Sequence, residues 1–150
     1  MKTKRKSNFY FIGLLTLSIL LTVNVVALIV SLIWNTPVRR IEKSWGIKLP
    51  EGSKAVYYRD DIDWFGEGER YTVLETKQRV IPFLNGESFP PEFIINSVEH
   101  TISLMEIPLK YLPVWDREFE GVIIGNTLDT HISFVNFPNE NLLIVCEEFF

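Results

Sequence analysis

Hydrophobic and polar positions follow different rules in different parts of this chain. No charged residue occurs from Ser7 to Val38, and Phe9 to Trp34 is dominated by Leu, Ile and Val. At about 1.5 Å per residue those 26 residues reach roughly 39 Å as a helix, against ~30 Å for the hydrocarbon core of a bilayer. The run predicts one membrane-spanning helix over 8–34, with tilt or overhang absorbing the surplus. Phe9, Tyr10 and Phe11 at one end and Trp34 at the other suit interfacial aromatic belts. A cleaved leader has a shorter apolar core and ends at a small-x-small site. "SLIWNTPV" offers no such site and no cysteine follows for a lipid, so an uncleaved anchor is expected.

Beyond it the period changes. Pro37 suits a first helical position and Gly46 a helix end, and Val38, Ile41 and Trp45 share one face. This predicts a short amphipathic juxtamembrane helix, its Trp45 packing on the following domain or dipping into the interface. "KAVYYRD" and "YTVLETK" read as strands, and "PFLNGESFPPE" as a loop. From Pro91 the helical period returns, with Ile94, Ile95, Val98, Ile102 and Met105 on one face and Asn96, Glu99, His100 and Ser103 on the other. "FEGVIIG", "HISFVNF" and "NLLIVCEEF" then form a three-strand meander broken by "NTLDT" and "PNEN". The expected fold class is α+β: one N-terminal transmembrane helix, then a mostly antiparallel sheet of about five strands packed with one amphipathic helix. Four segments follow: a basic cytoplasmic tail (1–7), the membrane helix (8–34), a juxtamembrane helix and linker (35–50), and an extracytoplasmic domain (51–150).

Within the apolar run, Gly13, Thr16, Asn24, Ala27 and Ser31 fall within about 80° of one another at helical spacing, with Leu20 the only large side chain among them. Two readings stand. The hydroxyls bond back to their own helix and Asn24 is tolerated, or the stripe is a face for self-association or for another membrane protein.

Charge sharpens the topology. Lys2, Lys4, Arg5 and Lys6 precede the helix without an acid, and Arg39, Arg40, Lys43 and Lys48 follow it. The short basic tail is expected to stay inside, which places the protein in the plasma membrane with the C-terminal domain outside. All 19 acids lie beyond the helix against 11 Lys and Arg, a net of −8 there. That sign argues against a nucleic-acid partner.

The densest charge is "DDIDWFGEGE", residues 60–69, with five acids. As a calcium loop starting at Asp61 it has Asp63 at position 3 and Gly66 at position 6, but Phe65 at 5 and Thr72 at 12, where a bidentate glutamate is needed. Asp61, Asp63 and Glu67 remain only as a looser cation site. As a hairpin it is more regular. Gly66-Glu67 in a type II′ turn would pair Asp63 with Arg70, Ile62 with Tyr71 and Asp60 with Val73, setting Ile62, Trp64, Tyr71 and Val73 on one face and Arg59, Asp61, Asp63, Arg70 and Thr72 on the other.

Catalytic patterns are weak. His100 lies on the polar face of the predicted helix and His131 opens a strand, with no metal-type spacing. Cys146, the single cysteine, sits in an apolar strand and reads as a buried thiol. There is no nucleophile elbow or glycine-rich phosphate loop, and the expectation is a non-enzyme without cofactor. Trp64, Phe65, Trp115, Phe149 and Phe150 lie near predicted loops or the terminus; such aromatics more commonly fill a small core, and otherwise Trp64, Phe65 and Trp115 are the candidate partner surface.

The run "WGIKLPEGSKAVYYRDDIDWFGEGERYTVLE" resembles a pattern in small single-pass membrane or envelope proteins of bacteria, especially Gram-positive ones, over residues 45–75, with a weaker echo in the C-terminal meander. In that pattern an apolar-Pro stretch leads into a strand, a Gly-acid-Gly turn and an aromatic-rich strand. Glu67 stands here where the family more often has aspartate. The resemblance implies a bacterial source and supplies no catalytic residue. The leading expectation is a protein-interaction, accessory, sensor or immunity-type envelope component. The alternative is a ligand- or cation-binding domain using the acidic hairpin, and a small envelope enzyme comes third.

Overall fold

A computed structural model describes residues 3–78, 84, 89–127 and 130–150, with side chains from 13 to 31 and, within those ranges, from 35 onward except 126 and 127. The expected aromatic belts at Phe9–Phe11 and Trp34, and most of the loop at 82–92, lie outside what is described. The chain forms two compact units, Met1–Thr36 and Pro37–Phe150.

In the first unit Thr3–Trp34 is one helix, α1. Its Gly13–Ser31 segment is long and apolar enough, by length and composition, to cross a membrane. The polar residues bond within the helix: Thr16 Oγ1 donates to the Gly13 carbonyl at 2.9 Å, and Asn24 Nδ2 to that of Leu20 at 2.7 Å. Short polar side chains make such bonds to carbonyls three or four residues back in a helix.

The second unit is built on five strands: β1 (Lys54–Asp60), β2 (Gly68–Glu75), β3 (Glu120–Thr127), β4 (Thr130–Phe137) and β5 (Leu142–Phe149). All pairings are antiparallel, and the order across the sheet is β1-β2-β5-β4-β3. The α+β class and the antiparallel five-strand sheet are thus as expected from the sequence. The β1–β2 hairpin and the C-terminal meander join through β2 and β5, which makes β5 the central strand.

Strand residues alternate between faces, and both faces are apolar. Leu74, Val122, Ile132, Phe134, Leu143 and Val145 point one way, Tyr71, Val73, Ile123, Val135, Ile144 and Cys146 the other. A sheet apolar on both sides needs two covering layers. Helix α3 (Pro91–Leu104) covers the second face with Ile94, Val98 and the following Met105. The expectation of a single packed helix is corrected here. Helix α2 (Pro37–Trp45) buries Ile41, with Val38 and Trp45 against the first face, and the chain leaves it through Gly46 at φ 63°. Of the two placements the sequence leaves open for the stripe, packing on the following domain is the one found, because its apolar side chains and the uncovered sheet face satisfy each other.

The hairpin register also differs from the sequence reading. Asp60 pairs with Arg70, Arg59 with Tyr71 and Tyr58 with Thr72. Asp60 was expected opposite Val73, so the register is shifted by three residues, and an odd shift exchanges the faces. The cause is the turn. Asp63 N donates to Glu67 O at 2.8 Å, Gly66 N to Asp63 O at 3.2 Å, and Gly66 has φ 89°. This is a three-residue loop, Trp64-Phe65-Gly66: a type I turn closed by a left-handed glycine. Asp63 Oδ1 also accepts from Phe65 N (2.8 Å) and Glu67 N (3.1 Å). An aspartate at the first position with glycine three residues on is the type I signature, and it overrides the II′ reading of Gly66-Glu67.

Gly68 opens β2 at φ 130°, and a Cβ there would lie 2.5 Å from the Asp61 carbonyl oxygen and 3.1 Å from Ile62 Cα. Both neighbours are backbone and cannot move aside. Gly68→Ala is expected to destabilise the domain by about 1–3 kcal/mol. Urea unfolding of the full chain in detergent micelles measures this; an unchanged midpoint would contradict the packing described.

Candidate functional site

β5 ends in two consecutive glutamates, Glu147 and Glu148, and as neighbours in a strand they face opposite layers. Both are buried, at 1% and 4% exposure. An unpartnered buried carboxylate is costly, and each layer supplies donors.

On the α2 side, Trp45 Nε1 donates to Glu147 Oε1 at 2.8 Å, and Arg70 Nη1 lies 3.9 Å from the same oxygen. Arg70 Nε reaches Asp60 Oδ1 at 3.1 Å, and Arg40 of α2 reaches Asp60 Oδ2 at 2.9 Å. Tyr58 donates to Asp60 and accepts from Arg40. The in-register row Asp60–Arg70–Glu147 crosses three strands, and α2 is keyed onto it by Trp45 and Arg40. Burial, then the Asp60 carboxylate, push the Tyr58 hydroxyl up to about 12. Burial also raises Asp60, but the Tyr58 hydrogen bond and the Arg70 charge hold it below its ordinary value.

On the α3 side, Thr101 Oγ1 donates to Glu148 Oε1 at 3.0 Å, and His131 Nε2 lies 3.5 Å from Glu148 Oε2. Ser97 Oγ sits 3.2 Å from His131 Nε2 and 2.8 Å from Ser133 Oγ. Glu69, Glu148 and His131 form an in-register row on β2, β5 and β4. Ser, His and Glu together suggest a nucleophile relay, but the geometry is different. A relay takes the serine on one ring nitrogen and the acid on the other, whereas Ser97 and Glu148 both approach Nε2. Ser97 is further engaged with Ser133. The cluster is a hydrogen-bonded layer contact between α3 and the sheet. His100 is exposed on α3. Cys146 is fully buried, and burial pushes its thiol well above the ordinary range, so it is a poor nucleophile.

The two glutamates titrate in opposite senses. Burial pushes Glu147 above the ordinary 4.5, only partly offset by Trp45 and Arg70. Burial acts on Glu148 too, but His131 and Thr101 outweigh it and hold it below 4.5. Burial and the adjacent Glu148 charge raise Glu69.

The hairpin tip is the contrasting surface. Trp64 and Phe65 are 96% and 86% exposed, on a turn braced by Asp63. Trp115, grouped with them from the sequence, lies against Phe119 and Phe137, with ring centres 5.3 and 6.3 Å away. Of the acids considered as cation ligands, Asp63 spends one oxygen on two backbone N–H groups, while Asp61 and Glu67 are exposed. Among the described residues no group of three or more His, Cys, Asp or Glu is placed to hold a metal ion. Gly13, Thr16, Asn24, Ala27 and Ser31 all lie along the exposed surface of α1.

Sequence reasoning missed Glu147, Glu148, Thr101, Ser97 and Ser133. A signal was present: two acids inside "LLIVCEEF", an otherwise apolar strand. No family model matches this chain, and neither a curated protein nor a solved structure does.

Linkage gives the first test. A raised folded pKa means that the contribution of Glu147 is fully present below 4.5 and is lost as pH rises through the folded value; Glu69 adds to this limb. The contribution of Glu148 is present above 4.5 and is lost as pH falls. Glu147→Gln keeps an acceptor for Trp45 and removes the charge. Its stability, from urea midpoints between pH 3 and 8, is expected to decline less than wild type above pH 4.5 while keeping the acid limb. Identical profiles would contradict the assignment. Separately, Thr101→Val preserves shape but strips Glu148 of a donor, and a loss of about 1–3 kcal/mol is expected in the same measurement at pH 7.

Proposed function

We propose that this chain is a non-enzymatic, single-pass membrane protein whose domain 37–150 works outside the cytoplasm by protein–protein contact, with the Trp64-Phe65 tip as the contacting element. The carrying observation is the tip itself: two large aromatics almost wholly exposed on a turn held by four hydrogen bonds, two between backbone groups and two to the Asp63 carboxylate. Exposed aromatics on a rigid mount lose little entropy when they enter a partner's pocket, and such residues dominate binding energy. Asp61, Asp63 and Glu67 flank the tip, so the complementary pocket is apolar with a basic rim.

The membrane part of the reading is supported by the apolar Gly13–Ser31 segment of α1 and by Lys2, Lys4, Arg5 and Lys6 on the N-terminal side of that segment. The stripe of Gly13, Thr16, Asn24, Ala27 and Ser31 offers a second contact, to another membrane helix or a second copy. The resemblance to small Gram-positive envelope proteins agrees with an accessory, sensor or immunity-type role.

A photo-crosslinking residue at position 64 of the full chain, in intact membranes, is expected to give one discrete protein adduct, and the same residue at the exposed Glu99 none. Trp64→Ala with Phe65→Ala is expected to leave stability within about 0.5 kcal/mol and to weaken partner binding by about 30-fold or more. A diffuse smear at both positions, or unchanged affinity in the double variant, would sink the proposal.

A further inference from the structure

The cover that α3 gives the sheet ends at Met105, and the chain then crosses the same face as an irregular strap. The strap is fastened at two points. Tyr111 stacks on Tyr57, with ring centres 4.3 Å apart, and its carbonyl accepts the Tyr71 hydroxyl at 2.7 Å. Trp115 packs against Phe119 and Phe137. Between the fastenings, residues 112–114 wall a cleft of about 260 Å³ whose floor includes Val56, Val73, Phe137 and Ile144. Val56 reaches it because the pairing of β1 shifts between Ala55 and Tyr57. A bulge of this kind turns two consecutive side chains toward one face, and Val56 and Tyr57 both pack on the α3-side core.

The size is informative. A cavity of ~150 Å³ lined by aliphatic residues already admits benzene, while drug-sized ligands take roughly 300–1,000 Å³. This cleft suits one apolar group of about the bulk of an aromatic side chain. Its mouth carries exposed Glu75 and Lys110. Among the described residues the Glu75 carboxylate has no hydrogen-bond or ion-pair partner. The Lys110 ammonium has no carboxylate partner among the described residues and lies over the Tyr111 ring at 4.6 Å. Glu140, also at the cleft, is already paired with Arg117. Among the described residues, a carboxylate and an ammonium without ion-pair partners thus stand beside an apolar hole.

We propose that this cleft binds a small zwitterion with an apolar body, the chemistry of a free apolar amino acid. The body lies on Val73 and Ile144, the ammonium faces Glu75 and the carboxylate faces Lys110. The site is independent of the hairpin tip, so either can fail alone.

The test uses the full chain in lipid nanodiscs and isothermal titration with three probes: phenylalanine, phenethylamine, which lacks the carboxylate, and 3-phenylpropanoate, which lacks the ammonium. Phenylalanine is expected to bind about tenfold more tightly than either single-charge analogue. Glu75→Gln should weaken phenylalanine and phenethylamine about tenfold and leave 3-phenylpropanoate unchanged; Lys110→Gln should do the converse. Both substitutions are at exposed positions and leave the core intact. Val73→Phe fills the cleft and is expected to abolish binding of all three, whereas Trp64→Ala leaves it unchanged. No heat from any probe at ~20 mM, a weak-binding limit well beyond millimolar affinity, would overturn the proposal. So would a single-charge analogue binding as tightly as phenylalanine.

Discussion

The domain is organised around the burial of two adjacent carboxylates on its central strand. Because consecutive strand residues face opposite sides, Glu147 and Glu148 enter different layers, and neither can be left without donors in a low-dielectric interior. The α2 layer answers with Trp45 and Arg70, the α3 layer with Thr101 and His131. Apolar packing alone would let either helix slide along its face at modest cost. A directional bond from Trp45 to Glu147, and from Thr101 to Glu148, selects one position for each. The strand order reinforces this, since β5 is paired along its length on both edges and cannot shift without breaking two registers.

That arrangement bears on function. Of the side chains the sequence raises for chemistry, His131 is engaged in a layer contact with Ser97 and Glu148 and Cys146 is in the core, while His100 is exposed on α3. Among the described residues the surface carries, beside scattered exposed apolar side chains, aromatics held out on a braced turn and an apolar cleft with two charges at its mouth. Both suit recognition. A contact at the tip and a small ligand under the 107–115 strap occupy different parts of the domain, so they need not compete.

Much of the fold was legible in the residues. "KAVYYRD", "FEGVIIG", "HISFVNF" and "NLLIVCEEF" became β1, β3, β4 and β5 because β-branched and aromatic residues fit a pleated sheet and turn residues bound them. Pro91 and the 3.6 spacing from Ile94 to Met105 marked α3. The failures had local and non-local causes. The hairpin register was wrong because two turns competed for the same glycines, and the Asp63 hydrogen bonds, a local signal, were underweighted. For α2 the residues leave two placements open, because an amphipathic stripe shows that one face must be covered and does not name the cover; packing on the domain is the one found. Of the candidate site, Trp64 and Phe65 could be read from the turn beside them. Trp115 could not, because its neighbours Phe119 and Phe137 are brought together by the meander.

By itself, then, the sequence determined the apolar helix, the element types and the exposure of the acidic tip, since each follows from periodicity, composition or bonding over a few residues. Only the tertiary structure decided which faces α2 and α3 cover, which donors meet Glu147 and Glu148, and where the cleft opens. Those outcomes rest on contacts between residues as far apart as Trp45 and Glu147, and burial creates the demand for such partners without specifying in advance which distant residue will meet it.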